Sequence, residues 1–255
     1  LSDARNFGMD AARGELIGFI DSDDYIRNDM FELLLKNMIE NGSDISACGI
    51  ELFWEDGTPS RMLTKSGSIV LTTEEAMKSV FEESYLIQPV VYKLYKKDLI
   101  KDIRFPVGKY HEDVYWTYKA IARAKIVSVF DEPCYLYRQR SGSIMNSSYS
   151  LKRLDSIAAQ YERLQFIESD FPKLGSMARV SMWFSCIYTT QMLLKYAEPN
   201  DRKHGITFVK KILKTHPIKL NEANHLSFKQ FLWLFMAKIS LKLTCFVRNT
   251  FGIGF

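Results

Sequence analysis

Asp21-Ser22-Asp23-Asp24 closes a short apolar run, Leu16-Ile17-Gly18-Phe19-Ile20. Carboxylates packed this tightly repel one another, and charge beside a buried strand is costly unless it is neutralised. In an extended chain Asp21 and Asp23 share one side and Asp24 takes the other. A divalent cation, Mg²⁺ or Mn²⁺, needs only one or two such carboxylates when a diphosphate and water supply the remaining oxygens. The tetrapeptide reads equally as an acidic turn in which Asp24 caps a helix. His111-Glu112-Asp113 is a second constellation. A carboxylate at a helix start, behind a loop containing Gly108, is held where it can take a proton from a hydroxyl. Asp is also a favoured N-cap, and on its own this tripeptide reads as one. A third is Tyr137-Arg138-Gln139-Arg140-Ser141-Gly142-Ser143-Ile144. Two guanidiniums beside a Ser/Gly segment suit phosphate oxygens, and the same residues also make a solvated loop after an edge strand.

Other chemistry-bearing residues give weaker signals. Lys93, Lys96 and Lys97 read as a basic strand end. Cys48, Cys134, Cys186 and Cys245 lie 86, 52 and 59 residues apart, without the close spacing of a structural zinc site. Reduced, buried thiols are expected. His204, His216 and His225 have no ligand spacing. Tyr188, Met192 and Tyr196, four residues apart, read as packing.

The elements that must position these groups follow from pattern. Ser2–Ala12 reads as a helix ended by a left-handed Gly14. The apolar run 16–20, buried on both faces, reads as a central parallel strand whose carboxyl end opens on a ligand crevice. Asn28 caps a helix 29–41 closed by Gly42, a strand covers 44–52, and Thr73 caps a helix 74–83. A helix over 113–124 and strands at 126–130 and 134–138 complete the first region. From Leu151 onward the periodicity is helical throughout, with helices from Leu154, from Pro172 to about 196, and over about 202–215 and 226–248. A boundary is expected near 147–151, giving regions 1–150 and 151–255.

The chain has 255 residues, 47% hydrophobic and 25% charged, which excludes disordered, collagenous and disulfide-scaffold classes. No apolar run is long enough to span a bilayer. The net charge of +4 conceals an asymmetry. Residues 199–255 carry ten Lys and Arg against two Asp and Glu, so an acidic body precedes a basic tail. Such a tail points to an anionic contact or to a solvated helical face, and it carries no nucleic-acid-binding motif.

Order and spacing say more than any single motif. Ser2-x-Ala4-Arg5-Asn6-x-Gly8, then Gly14, then a strand ending in Asp21-Ser22-Asp23-Asp24, resembles the family-2 glycosyltransferases of bacterial surface polysaccharide assembly. Phe105-Pro106, Glu112-Asp113 and Tyr137-Arg138-x-Arg140-x-x-Ser143-Ile144 follow in the family's order, so the resemblance covers about residues 1–150. It implies an A-type glycosyltransferase fold: α/β, Rossmann-like, with a mixed sheet. It also implies transfer from a nucleotide-diphosphate sugar with inversion. The acceptor would be a saccharide or lipid-linked saccharide, and the work would be cytoplasmic, at the inner face of the membrane. By the same resemblance Asp21 and Asp23 ligate Mn²⁺ or Mg²⁺ and contact the donor, with Asp24 beside them. Asp113 is the base, Glu112 orients it or the acceptor, Arg5 lies near the nucleotide, and Arg138 and Arg140 close over the diphosphate.

Two segments of the family pattern, an opening Val-Ser-Val-Ile-Ile-Pro type strand and a later Asp-Asp-Gly-Ser, are not found, so a fragment of a longer enzyme is expected. Were the chain instead the whole protein, the strand at 16–20 would lack neighbours on one side. Rival readings are a metal-dependent nucleotidyltransferase, for which no phosphate loop is visible, and a non-catalytic scaffold. Residues 226–248 mix aromatics with Lys229, Lys238, Lys242 and Arg248, and read as one helix. It either lies on an anionic membrane or packs on its own domain.

Overall fold

A computed structural model describes residues 1–139, 150–223 and 226–253. In chain order its helices are α1 (Ser2–Ala11), α2 (Met30–Asn41), α3 (Thr73–Glu82), α4 (Lys97–Ile100), α5 (Glu112–Arg123), α6 (Asp155–Asp170), α7 (Gly175–Tyr196), α8 (Pro199–Thr215), α9 (Phe228–Ile239) and α10 (Leu241–Thr250). Its strands are β1 (Leu16–Gly18), β2 (Tyr25–Ile26), β3 (Ile45–Trp54), β4 (Arg61–Met62), β5 (Ile69–Thr72), β6 (Lys93–Lys96) and β7 (Ile126–Gln139). Two compact units emerge: Leu1–Gly108 with Glu112–Ser147, and Lys109–His111 with Ser148–Phe255.

The first unit is a mixed sheet of order β1-β6-β3-β7-β2, with β4 added on β3 and β5 on β7. Only the β3–β7 pair is parallel among these ladders. β1 therefore corrects an expectation: it is an end strand, antiparallel to β6, and not a central parallel one. Its apolar character has another cause. Ile17 and Phe19 are both buried, and the Phe31 ring of α2 lies so close to Gly18 that a Cβ there would sit 2.4 Å from it. Ile17 and Phe19 turn to the core, whereas Gly18 and Ile20 on the opposite face are exposed, so the apolar run reflects one packed face and not strand direction.

β7 corrects a second expectation, because the strands at 126–130 and 134–138 are one. Asp131 and Glu132 look like a break, but the β3–β7 register carries through them by shifting at Gly49. A Cβ at Gly49 would meet the Glu132 carbonyl at 2.8 Å, so only glycine lets the two strands close there.

Local chemistry sets the helix ends. Gly42, at φ 60°, takes the left-handed position that ends α2, and its N–H reaches the Ile39 carbonyl. The N-cap of α2 is Asp29, one residue beyond Asn28, and its carboxylate is held by Arg27. Thr72, not Thr73, caps α3 through a reciprocal capping box with Glu75. α1 ends on an extended Ala12, so Gly14 needs no left-handed conformation.

In the second unit α6, α8 and α10 all pack on α7. That explains why α7 buries Val180, Met182, Trp183, Cys186, Ile187 and Leu193 around its circumference. Tyr188 and Tyr196 are exposed instead, so the expected packing column is not core. Arg179 is held between Glu168 and Glu222. The expected single helix over 226–248 breaks at Ser240, whose hydroxyl accepts from Leu243 N and starts α10. No helix among the described residues is long and apolar enough to cross a membrane. All four cysteines are free and buried.

Candidate active site

α1 delivers Arg5 into the first unit, and its guanidinium forks. One nitrogen donates to Asp21 Oδ1 at 2.7 Å, the other to Glu112 Oε1 at 2.6 Å. The Arg5 side chain is 9% exposed, against 29% for Asp21 and 12% for Glu112, so the bridge is largely withdrawn from water. Phe105 lies under the guanidinium, 5.4 Å from ring centroid to carbon, and stacks on Trp116 at 4.8 Å. Phe19 and Tyr95 meet these rings edge-on. The neighbouring Asn6 grips the Phe105 backbone twice, accepting from its N–H and donating to its carbonyl, each at 2.9 Å. Arg5 and Asn6 together thus fix the turn after β1, the Phe105 loop and the start of α5.

The turn itself is pinned to β7. Tyr135 Oη donates to Asp24 Oδ2 at 2.6 Å, the Arg138 backbone N–H donates to Asp24 Oδ1 at 3.0 Å, and Asp21 N–H donates to Tyr135 Oη at 3.2 Å. Burial pushes the Asp24 carboxyl upward. The two hydrogen bonds oppose this, the nearby charges of Asp23 and Asp21 add to it, and the net direction is up. Tyr135→Phe is expected to lower stability by about 2 kcal/mol, the scale for a hydrogen bond to a charged group, read as a shift in urea midpoint. An unchanged midpoint would show that the turn holds without this bond.

Asp113 is half-buried at the start of α5. Its Oδ1 accepts from Val114 N–H at 2.9 Å, and its backbone carbonyl accepts from the Gln88 side chain at 2.7 Å. Thr117 Oγ1 in turn donates to the Gln88 carbonyl at 2.8 Å. Behind them Lys93 is 1% exposed and donates to the carbonyls of Ile87 and Pro89, so it is no ligand for an outside anion. Burial drives its ammonium well below the usual lysine range, while the charge of Asp113 works the other way. Lys96 is paired with Asp44, and Lys97 donates to the Ala12 carbonyl.

The Tyr137 hydroxyl is raised, first by burial and then by the charges of Asp24, Asp21, Asp23 and Asp113. Arg138 is turned to Glu55 at 2.6 Å, beside the Tyr25 ring. Arg140 lies outside the described residues.

Asp21, Asp23, Asp24, Glu112 and Arg5 are thus brought together. Gln88 and Tyr135 join the arrangement without having been singled out from sequence, and Asn6 and Tyr137 belong to the quoted motifs but carried no assigned role there. Tyr135 and Tyr137 are two apart on a strand, a one-face pattern that marks them once β7 is seen as a single strand.

The donor set suits a hard divalent cation. It is all oxygen, with three carboxylates in four residues, and burial and like charge press on Asp24. Among the described residues no group of three or more His, Cys, Asp or Glu is arranged to hold a metal by itself. A cation held by Asp21 and Asp23 would therefore draw its other oxygens from a bound diphosphate and water.

Residues 1–104 match Glycosyl transferase family 2. Over that stretch the chain is similar to the family. EpsJ of Bacillus subtilis (strain 168), described as an uncharacterized glycosyltransferase, is 29% identical over 228 residues, covering 84% of this chain and 64% of EpsJ. The poly(ribitol-phosphate) beta-N-acetylglucosaminyltransferase TarS of Staphylococcus aureus (strain MW2) is 30% identical over 149 residues, covering 57% of this chain and 25% of TarS. The chain thus spans less than two thirds of either relative. The crystal structure of S. aureus TarS 1-349 in complex with UDP-GlcNAc matches 99% of the chain and 72% of that structure, with a TM-score of 0.72 and 20% identity. That likeness shows the A-type glycosyltransferase fold. The family generally uses a divalent metal.

Proposed function

We propose that this chain transfers a sugar from a nucleotide-diphosphate donor to an acceptor hydroxyl, with inversion, in bacterial surface polysaccharide or glycolipid synthesis. The observation that supports it is the Arg5 bridge, which ties the post-β1 acidic turn to the Glu112-Asp113 helix start across 107 positions. A donor-side carboxylate pair and an acceptor-side base are what such a transfer needs. The relatives named above point to the same chemistry, and in this reading the chain works in the cytoplasm at the inner face of the membrane.

In the mechanism, Asp113 takes the proton of the acceptor hydroxyl as its oxygen attacks the anomeric carbon. The bond from that carbon to the diphosphate oxygen breaks, and its electron pair leaves with the nucleoside diphosphate. One displacement inverts the centre, with no covalent sugar–enzyme intermediate. Asp21 and Asp23 would hold Mn²⁺ or Mg²⁺, which when bound supplies positive charge against the diphosphate. Glu112, fixed by Arg5, holds the start of α5 so that Asp113 faces the acceptor. Arg138 exchanges Glu55 for phosphate oxygens, with Arg140 beside it in sequence. The acceptor is a saccharide or lipid-linked saccharide.

UDP is a direct probe, since TarS 1-349 has been crystallised with it. Titrated with and without Mn²⁺, the protein is expected to bind UDP more tightly with metal. Asp23→Ala should erase that difference while leaving the thermal unfolding profile unchanged. A metal-dependent affinity that survives in Asp23→Ala removes Asp23 from the metal site.

A further inference from the structure

The second unit contains a cleft of about 340 Å³ in which Lys210 and Lys214 of α8 face Lys238 and Lys242 from the α9–α10 corner. Lys210 and Lys214 share a helix face at i, i+4. Lys238 and Lys242 reach the same space by a different route. They flank the break at Ser240, and the corner turns both inward to the cleft lining. No Asp or Glu lines this cleft, and none of the four lysines has an ion pair among the described residues. Four like charges converging without a counter-charge raise one another's energy, and an anion relieves it.

The apolar surroundings say which anion. Ile239, itself part of the lining, is 72% exposed, and along α10 Leu243 and Phe246 are 59% and 65% exposed. Phe228 at 82% and Phe235 at 39% extend the apolar surface along α9. A dissolved phosphate compound would need the lysines alone. A surface presenting phosphates above hydrocarbon matches both features, with lysines in the headgroups and apolar side chains at the acyl boundary. We propose that this cleft and the apolar rim of α9 and α10 form a docking site for anionic phospholipid. The site stands on the second unit alone and is independent of the transfer reaction.

Vesicle co-sedimentation tests it, with phosphatidylglycerol/phosphatidylcholine vesicles against phosphatidylcholine alone. Binding is expected only to the anionic vesicles and should weaken as salt rises. Replacing Lys210, Lys214, Lys238 and Lys242 by Gln should reduce partitioning at least about 100-fold, since each lysine near an anionic surface contributes about fivefold. Gln at Lys195, Lys203, Lys211 and Lys219, an equal charge change elsewhere in the unit, should reduce it far less. Equal losses in the two quadruple variants would overturn the cleft in favour of net charge. Ile239→Ser/Leu243→Ser should also weaken binding. Full binding by that variant would overturn the lipid assignment and leave a site for soluble phosphates. All the altered side chains are exposed, and a thermal melt confirms that each variant is folded. UDP binding measured on the same variants stays unchanged, which separates this site from the transfer site.

Discussion

Asp113→Asn is expected to lower turnover by about 10²–10⁴-fold, the range for loss of a general base. Asparagine keeps the shape, and its side-chain oxygen still accepts from Val114 N–H. The clasp of Gln88 on the residue-113 carbonyl is a backbone contact and survives. The start of α5 therefore stays in place, and what is lost is the ability to take a proton. UDP affinity should change little, because the role proposed for this residue is toward the acceptor. A variant with near-normal turnover would return Asp113 to a helix-starting role, and one that lost UDP affinity as well would place it on the donor side.

Arg5→Met carries the second large effect. It keeps much of the side-chain length over Phe105 but removes the cation that bridges Asp21 and Glu112. Stranding a partner of a buried ion pair costs about 3–5 kcal/mol, against about 0–1 kcal/mol for an exposed pair. Glu112 is the more buried carboxylate, and Asp21 keeps some contact with water. The expected loss is therefore about 3 kcal/mol, measured as a shift in urea midpoint. Arg5→Met/Glu112→Gln should recover part of it, because the stranded charge goes too. Arg5→Lys should recover little, since an ammonium lacks the planar fork that spans two carboxylates. A loss below about 1 kcal/mol for Arg5→Met would mean the bridge behaves as a surface pair.

Local signals made much of the first unit legible. The acidic turn after an apolar run, the Gly42 helix end and the helix that begins at Glu112-Asp113 all depend on a few adjacent residues, and these were readable. What escaped depends on partners distant in sequence. The direction of β1 is set by β6, some eighty residues away, and an apolar run by itself looks the same in parallel and antiparallel strands. Asp131-Glu132 resembled a strand break because it lies in a bulge of β7, and what lets the ladder close around that bulge is Gly49 on the neighbouring strand. Ser240 sits inside an apolar periodicity, and its cap to Leu243 competes with the continuing helix. The motif around Arg5 did not show that its guanidinium bridges Asp21 and Glu112, because both partners are set by the fold. Tyr188 and Tyr196 show the opposite error, since regular spacing marks a face without saying that anything covers it.

The sequence separations within the site bear on when it forms. Arg5 finds Glu112 across 107 positions, Asn6 finds Phe105 across 99, and Asp24 finds Tyr135 and the Arg138 backbone across 111 and 114. Contacts this non-local form late, because closing each loop costs entropy before any contact repays it. At about 5–20 residues per second of synthesis, Asp24 waits roughly 6–22 s before Tyr135 exists. Until then the acidic turn has neither its hydroxyl clasp nor its bridge to α5, and it is simply a hydrated, repelling loop. The complete site therefore requires β7 to be in place, since Asp24 has its partners there. A nucleotide that requires the assembled turn would serve as a reporter of complete folding of the first unit, silent to every partly folded form that precedes it.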